Sequence, residues 1–140
     1  MIILDTNVIS ELVRREPSPA VLRSLGRLPS DDLYTTAITE AEIRFGLAHL
    51  PRGRKHAILS NQLDLVLTQE FAGRILPFDS PAAEAYASLV AGRRSAGQPI
   101  SVFDGQIAAI TLTRGATLAT RNSRDFRGLR IALLDPWVEF

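Results

Sequence analysis

The sequence predicts an α/β fold with a mostly parallel central sheet of about five strands and helices on both faces. The chain opens on a continuous apolar run, which is typical of a strand buried on both faces. Further short apolar runs alternate with stretches of helical periodicity, as expected for strands joined by helical crossovers. The 140 residues contain no repeat or linker, so we expect residues 1–140 to form a single domain.

Five short segments are the predicted strands. The first is the opening run, and the other four are apolar or β-branched. They lie at residues 1–4, 33–36, 74–78, 117–120 and 131–134. Because long helical stretches separate them, neighbouring strands are expected to be parallel.

Helices are predicted where apolar residues recur every three or four positions. The stripes are Ile43, Leu47 and Leu50, then Leu59, Leu63 and Val66 within residues 55–72, and finally Ile107, Ile110 and Leu112. Pro81 is typical of the first turn of a helix, and Gly115 is typical of a helix C-terminus. Residues 51–54 are predicted to form a turn between two helices.

The composition is that of an ordinary globular protein, with 46% hydrophobic and 22% charged residues. The chain has no cysteine, which excludes disulfides and thiolate metal sites and favours a reducing compartment. No apolar run approaches the ~18–20 residues of a membrane span, and the first residues lack the features of a signal peptide. We therefore expect a cytoplasmic protein with no membrane contact. The net charge of +1 is neutral evidence on nucleic-acid binding.

Three carboxylates occupy comparable places in the predicted fold. Asp5 directly follows the first strand, at the edge of the sheet where open α/β folds bind ligands. Glu42 and Asp104 lie near predicted helix starts that follow strand-like or extended sequence. The partial positive charge of a helix N-terminus favours an ionised carboxylate. We therefore expect all three side chains to point towards the same edge.

Each of these carboxylates also has a purely structural interpretation. Asp5 could cap the helix that follows it. Thr39 and Glu42 have the spacing of a capping box, and Ser101 and Asp104 repeat that spacing with aspartate. Their joint placement favours a site. Three converging carboxylates would repel one another unless a cation were present, and oxygen ligands without histidine or cysteine indicate Mg²⁺ or Mn²⁺.

A fourth polar position is expected after the strand at residues 117–120. Asn122 could coordinate or orient water but brings no charge, whereas Asp125 brings a charge one turn later. Either could instead be a loop or cap residue, so both remain candidates. His49 and His56 lie on predicted helix surfaces and receive no chemical role.

Five motifs in this order resemble those of one known family. They read LDTNVIS at residues 4–10, TEAEI at 39–43, FDGQIAA at 103–109, TRNSRDF at 120–126 and DPW at 135–137. Together they cover nearly the whole chain. They resemble the PIN-domain ribonucleases, specifically the VapC-type toxins of type II toxin–antitoxin systems and their FitB-like relatives. The resemblance therefore implies a single PIN domain over residues 1–140.

The resemblance also implies a Mg²⁺-dependent endoribonuclease, in which Mn²⁺ can substitute, that hydrolyses RNA by metal-activated water. It further implies a homodimer and a VapB/FitA-like antitoxin, with DNA contacted only through that antitoxin. By position, Asp5, Glu42 and Asp104 match the acidic triad of the family. Some relatives carry Asp where Asn122 stands, and others have a later acidic residue, as Asp125 is here.

Further residues are assigned supporting roles. Thr6, Asn7 and Thr120, together with Asn122, are expected to orient the site. Phosphates of an RNA, such as a transfer RNA loop, could be bound by Arg44, Arg93, Arg94 and Arg121, although a solvated helix face is the favoured interpretation for any single one of them. Candidates for antitoxin or dimer contact, with the core as the alternative, are Val13, Val21, Leu22 and Leu25.

Two other functions are compatible with the predicted fold. One is a catalytically silent PIN-like module that acts with a partner in DNA-binding repression or RNA binding. The retained carboxylates argue against it, because a silent module has no reason to keep mutually repelling charges. The other is a phosphoryl-accepting receiver or phosphatase, and Asn7 argues against it because a second aspartate is expected two residues beyond Asp5.

Overall fold

The structure, a computed structural model, describes residues 1–138 and places helices on both faces of a parallel sheet. The strands are β1 (Ile2–Leu4), β2 (Leu33–Thr36), β3 (Ile75–Leu76), β4 (Thr117–Ala119) and β5 (Ala132–Leu134). Their order across the sheet is β3-β2-β1-β4-β5, and every neighbouring pair is parallel. The predicted α/β fold class and the five predicted strands are confirmed.

Six α-helices connect and cover the strands in the described part of the chain. They are α1 (Thr6–Leu12), α2 (Pro19–Gly26), α3 (Ala37–Ala48), α4 (Arg54–Leu65), α5 (Ser80–Ser95) and α6 (Val102–Thr113). A π-helical turn at Val66–Glu70 extends α4, which accounts for the long helical segment predicted there. Within residues 1–138, no helix is long and apolar enough to cross a membrane.

The core lies on both faces of the sheet because successive strand residues point to opposite sides. Ile3 and Leu118 face one side, whereas Leu4 and Ala119 face the other. The cluster around Leu4 draws on α1, α2 and α4, with members such as Val8, Val21 and Leu63. The cluster around Ile3 draws on α5 and α6, with members such as Ala82, Ile107 and Ile110. Helices therefore bury both faces, as a parallel sheet requires.

Most of the apolar residues that were candidates for partner contact belong to the core. Val13, Val21 and Leu25 are buried against β1 and its neighbours. Only Leu22 is exposed, with 48% of its surface accessible. A buried side chain is not available to a partner, so the contact interpretation survives for Leu22 alone. The stripe predicted for α6 is wrong at its last member, since Leu112 is exposed.

The capping box predicted at Thr39 is wrong, because α3 starts three residues earlier. Thr36, the last residue of β2, has the extended backbone of an N-cap, and its hydroxyl accepts the backbone N–H of Thr39 at 3.1 Å. The strand passes into the helix without a loop, so the sequence offers no break to mark the start. Glu42 is therefore in the second turn of α3 and does not cap it.

The topology determines where a site can form. From β1 the chain proceeds to β2 and β3 on one side of the sheet, while β4 and β5 lie on the other side. The switch point is therefore between β1 and β4, and a crevice is expected at the carboxyl ends of these two strands. Leu4 pairs with Ala119 there, so Asp5 and Thr120 come next to each other at that edge.

Candidate metal centre

Asp5 lies at the carboxyl end of β1 and is only 3% exposed. Its Oδ1 accepts the backbone N–H of Thr6 at 2.8 Å, and its Oδ2 accepts the hydroxyl of Thr120 at 2.7 Å. Asp5 is also the N-cap of α1. The two interpretations of Asp5 are thus compatible, because one oxygen caps the helix while the other faces the end of β4.

Thr120 and Asn7 join the start of α1 to the loop after β4. The Thr120 hydroxyl has one proton, which it donates to Asp5, so its oxygen accepts the backbone N–H of Asn122 at 3.0 Å and the Asn7 amide at 3.3 Å. Asn7 also accepts the backbone N–H of Arg121 through Oδ1, at 3.2 Å. The structure therefore brings the polar residues predicted to orient the site into one hydrogen-bonded network.

Glu42 reaches the same edge from α3. The hydroxyl of Thr6 donates to Glu42 Oε1 at 2.8 Å, and it lies 3.1 Å from the hydroxyl of Thr39. Because Thr6 has a single hydroxyl proton, Thr39 must be the donor in the second contact. Thr39 was missed as a member of this network. Its spacing of three residues from Glu42, which places both on one helix face, is the signal that could have identified it.

Asp104 is held at the start of α6. Ser101 is the N-cap of this helix and accepts the backbone N–H of Asp104 at 3.2 Å, as its spacing predicted. The next residue, Gly105, lies against α5, where a Cβ atom would come within 3.0 Å of Tyr86 and 3.2 Å of Val90. The absence of a side chain at Gly105 therefore lets α6 approach α5 closely, and this sets the position of Asp104.

Asp125 and Asn122 lie in the loop after β4, where the backbone N–H of Asp125 donates to the carbonyl of Asn122 at 3.0 Å. The side chain of Asp125 is exposed. Its backbone is held by Arg93 of α5, whose guanidinium donates to the carbonyl oxygens of Asp125 at 2.9 Å, Arg127 at 2.6 Å and Gln98 at 2.8 Å. Arg93 therefore contacts the backbone of this loop, a role that no sequence pattern indicated.

Arg93 also belongs to a small cleft beside the two aspartates. The cleft has a volume of about 220 Å³, and its walls include Arg93, Ser101, Asp104 and Asp125. It joins the N-terminus of α6 to the loop after β4. Asp104 and Asp125 thus share one opening, as expected if they belong to a single site.

The carboxylates interact electrostatically across this edge. Burial raises the pKa of Asp5 to about 6, with smaller contributions from the negative charges of Asp104 and Glu42. Hydrogen bonds from Thr120 and Thr6 act in the opposite direction. Burial also raises the pKa of Glu42 and of Asp104, and the charge of Asp104 adds to the shift of Glu42. The cluster therefore concentrates negative charge that a cation would stabilise.

The donor chemistry fits a hard divalent cation. Carboxylate, hydroxyl and amide oxygens are the ligands that Mg²⁺ and Mn²⁺ prefer. Among residues 1–138, however, no group of three or more acidic or histidine side chains is arranged to hold a metal ion as it stands. Asp5 is fixed by hydrogen bonds and Glu42 accepts one from Thr6, whereas Asp104 is half-buried and Asp125 is exposed. The fit therefore depends on rotation of these freer side chains.

The arginines considered for RNA binding differ in their surroundings. Arg44 forms ion pairs with Glu40 at 2.7 Å and with Asp64 at 3.4 Å, so its guanidinium links α3 to α4. Arg94 is exposed on α5. Arg93 and Arg121, in contrast, lie next to the carboxylate site, at the small cleft and beside Asn7 respectively.

Comparisons with known proteins agree with this geometry. A family model described as "PIN domain" matches residues 2–131. The VapC ribonuclease Y4jK of Sinorhizobium fredii is 43% identical over 137 residues, which span 98% of this chain and 98% of that ribonuclease. The toxin FitB of Neisseria gonorrhoeae is 42% identical over 137 residues, which span 98% of this chain and 99% of FitB.

The fold of this chain is also similar to that of a protein of known structure. A chain in the structure of FitAB bound to an IR36 DNA fragment superposes with a TM-score of 0.91 at 41% identity. The superposition covers 100% of this chain and 98% of the other. The chain therefore belongs to the PIN domain family and, within it, to the VapC and FitB toxins of toxin–antitoxin systems.

Proposed function

We propose that this protein is a Mg²⁺-dependent endoribonuclease, the toxin of a type II toxin–antitoxin system, and that Mn²⁺ can replace Mg²⁺. One observation carries the proposal: a buried carboxylate, Asp5, is electrostatically coupled to Glu42 and Asp104 at the switch point of a parallel sheet. Burying like charges together is costly unless a cation or a proton compensates them. The similarity to a protein named VapC ribonuclease supports the choice of RNA as substrate.

The residues at this site would have different roles in binding the ion. Asp5, Glu42 and Asp104 would hold the ion, and Asp125 or Asn122 would complete the site. When bound, the ion would supply an acidified water and would stabilise the charge on the scissile phosphate. Thr120 and the backbone of Thr6 keep both oxygens of Asp5 in place, so that this ligand loses little entropy on binding.

The hydrolysis proposed here needs no 2′-hydroxyl, so it should leave a 5′-phosphate and a 3′-hydroxyl. Sequence-specific recognition of RNA usually requires unpaired bases. We therefore propose that the substrate is a single-stranded loop in a structured RNA, such as a transfer RNA.

The proposed partner is a VapB/FitA-like antitoxin. A cationic side chain from its tail, inserted among the carboxylates, would relieve the same repulsion as a metal ion. Leu22 is an exposed apolar residue that such a partner could cover. The similarity to FitAB bound to DNA supports a DNA contact that is made through the antitoxin. We also propose that the protein is a homodimer and that it acts in the cytoplasm.

The direct test is cleavage of structured RNA, including transfer RNA, by the purified protein in Mg²⁺. EDTA should abolish cleavage, and Asp104→Asn should lower it at least about a hundredfold while circular dichroism shows an unchanged fold. Asp31→Asn removes the same charge from an exposed position and should leave cleavage unchanged. Undiminished cleavage in Asp104→Asn would overturn the assigned site. Lack of cleavage by the wild-type protein would favour the catalytically silent module.

A further inference from the structure

A second pocket opens beside the carboxylates, between α1 and the segment that carries Trp137. It has a volume of about 450 Å³ and is lined by Asn7, Ser10, Glu11, Arg14, Arg121 and Trp137. We call it the Arg121–Trp137 pocket. The proposed hydrolysis uses only Asn7 of these residues, so the remaining ones need another explanation.

One wall of this pocket is formed by the guanidinium of Arg121, which lies over the ring of Trp137. The guanidinium carbon of Arg121 lies 4.9 Å from the centre of the Trp137 ring. Trp137 is partly buried against the core cluster around Leu4, and its backbone N–H donates to Asp135 at 2.9 Å. The ring therefore has a rigid base, while Arg121 is exposed. Indole rings and guanidinium planes are the groups on which proteins stack unpaired bases.

The pocket is cationic, in contrast to the neighbouring carboxylate site. Glu11 is buried and forms an ion pair with Arg14 at 3.1 Å. Arg14 and Arg121 thus bring two positive charges against the single negative charge of Glu11. Guanidinium groups bind phosphate through paired hydrogen bonds. An RNA strand that crosses both sites would place its phosphates near arginine on one side and near the carboxylates on the other.

Asn7 connects the pocket to the carboxylate site. Its Oδ1 accepts the backbone N–H of Arg121 at 3.2 Å, and its amide lies 3.3 Å from the hydroxyl of Thr120 and 3.4 Å from Asp5 Oδ2. One side chain therefore touches both Asp5 and the residue that forms the pocket wall. A group bound in the pocket would be an immediate neighbour of the bond that is cleaved.

We propose that the Arg121–Trp137 pocket binds one nucleotide of single-stranded RNA next to the cleaved bond. The base stacks on the Arg121 and Trp137 side chains, and the guanidinium groups of Arg14 and Arg121 contact its phosphate. This inference rests on the proposed ribonuclease function and adds a base-binding subsite to it.

The sequence contains a single tryptophan, so fluorescence excited at wavelengths that tyrosine does not absorb comes from Trp137 and reports on this pocket. A single-stranded RNA tetranucleotide, titrated at low salt in EDTA, should quench the fluorescence of Trp137 saturably, whereas inorganic phosphate should not. Quenching should persist in Asp104→Asn, because Asp104 does not line the pocket. Unchanged fluorescence would overturn the proposal, whether or not a labelled tetranucleotide binds elsewhere on the protein.

Arg121→Gln tests the cationic wall without touching the core. It should weaken binding of a labelled tetranucleotide, measured by fluorescence anisotropy, by about tenfold, since stacking and a phosphate contact are lost together. Arg52→Gln makes the same change in an exposed turn and should have little effect. Equal weakening in both variants would overturn the proposal, because it would reveal only a general charge effect.

The outcomes separate this inference from the proposed function. Quenching without any RNA cleavage would refute the ribonuclease and leave the pocket as a site that only binds RNA. Cleavage by Arg121→Gln with unchanged kcat and KM, together with unchanged tetranucleotide binding, would refute the pocket and leave the ribonuclease standing.

Discussion

The carboxylate site has two halves that are built differently. In the buried half, both oxygens of Asp5 accept hydrogen bonds, from Thr6 and Thr120. In the exposed half, Asp125 has a solvent-facing side chain, and Arg93 holds only its backbone carbonyl. The first half is rigid because Asp5 and Thr120 directly follow two paired strands, whereas the second half lies in a loop. A preformed ligand thus faces ligands that can adjust, which suits a cation that demands its own geometry.

The largest expected effect comes from breaking the rigid half. Asp5→Asn preserves the shape of the side chain and an oxygen that can cap α1, but it removes the charge. We expect RNA cleavage in Mg²⁺ to fall about a thousandfold, because the cation would lose its best-fixed ligand. Initial rates on a transfer RNA substrate would measure this. A loss of less than about tenfold would show that the buried half is not where the ion binds.

A smaller effect should follow when the rigid half loses the Thr120 hydroxyl, which donates to Asp5 and accepts from Asn7 and from the backbone of Asn122. Thr120→Val removes the hydroxyl that donates to Asp5 but keeps the shape of the side chain. Cleavage should fall about tenfold, and the acidic limb of its pH profile should move to higher pH, because this hydrogen bond lowers the pKa of Asp5. Thr117→Val, at the other end of β4, is the matched control. A profile that does not move would contradict the assigned contact.

Two adjacent arginines of α5 differ in their contact with the loop that carries Asp125. Arg93→Ala should loosen the loop that carries Asp125 and raise the Mn²⁺ concentration needed for half-maximal cleavage several-fold, with a smaller change at saturating Mn²⁺. Arg94→Ala removes the same charge one residue away and should leave this concentration unchanged. Equal effects in the two variants would indicate that only charge matters, and that Arg93 does not position the loop.

The smallest expected difference is between the two candidates for the fourth position. At limiting Mn²⁺, Asp125→Ala should lower cleavage more than Asn122→Ala, because only Asp125 carries a charge and shares the cleft with Asp104. The two variants should converge when Mn²⁺ is saturating. If neither variant changes the metal dependence, both residues lie outside the site.

The two halves also differ in how far the sequence could predict them. Asp5 follows from the apolar run of β1, and Ser101 with Asp104 follows from a local capping pattern. Such signals lie within a few residues of one another. The start of α3 was missed because β2 passes into it without a break, and Thr39 therefore looked like a cap.

The sequence contains no pattern that indicates contacts between distant segments. Arg93 acts on carbonyl oxygens more than thirty residues away, and a backbone carbonyl has no sequence signature. The stacking of Arg121 on Trp137 likewise depends on how the chain returns beside the loop after β4. The sequence could therefore predict the carboxylates, but not the contacts that hold the loop or form the neighbouring pocket.

The charge of Asp5 should make the free energy of unfolding depend on pH. Because the pKa of Asp5 is raised from 3.8 to about 6, the folded state binds more protons than the unfolded state between these values. Stability therefore falls as the pH rises through this window, and the full penalty is present above about pH 6. For Asp5 alone, the loss between pH 5 and pH 7.5 is on the order of 1 kcal/mol.

The most direct test is the free energy of unfolding in urea, measured between pH 5 and pH 7.5 with EDTA or with Mg²⁺. We expect stability in EDTA to fall towards pH 7.5 and Mg²⁺ to restore it, and we expect both effects to be much smaller in Asp5→Asn, in which only the raised pKa values of Glu42 and Asp104 remain. Equal stability of the wild-type protein with EDTA and with saturating Mg²⁺ at pH 7.5 would contradict the claim that these carboxylates form a cation site.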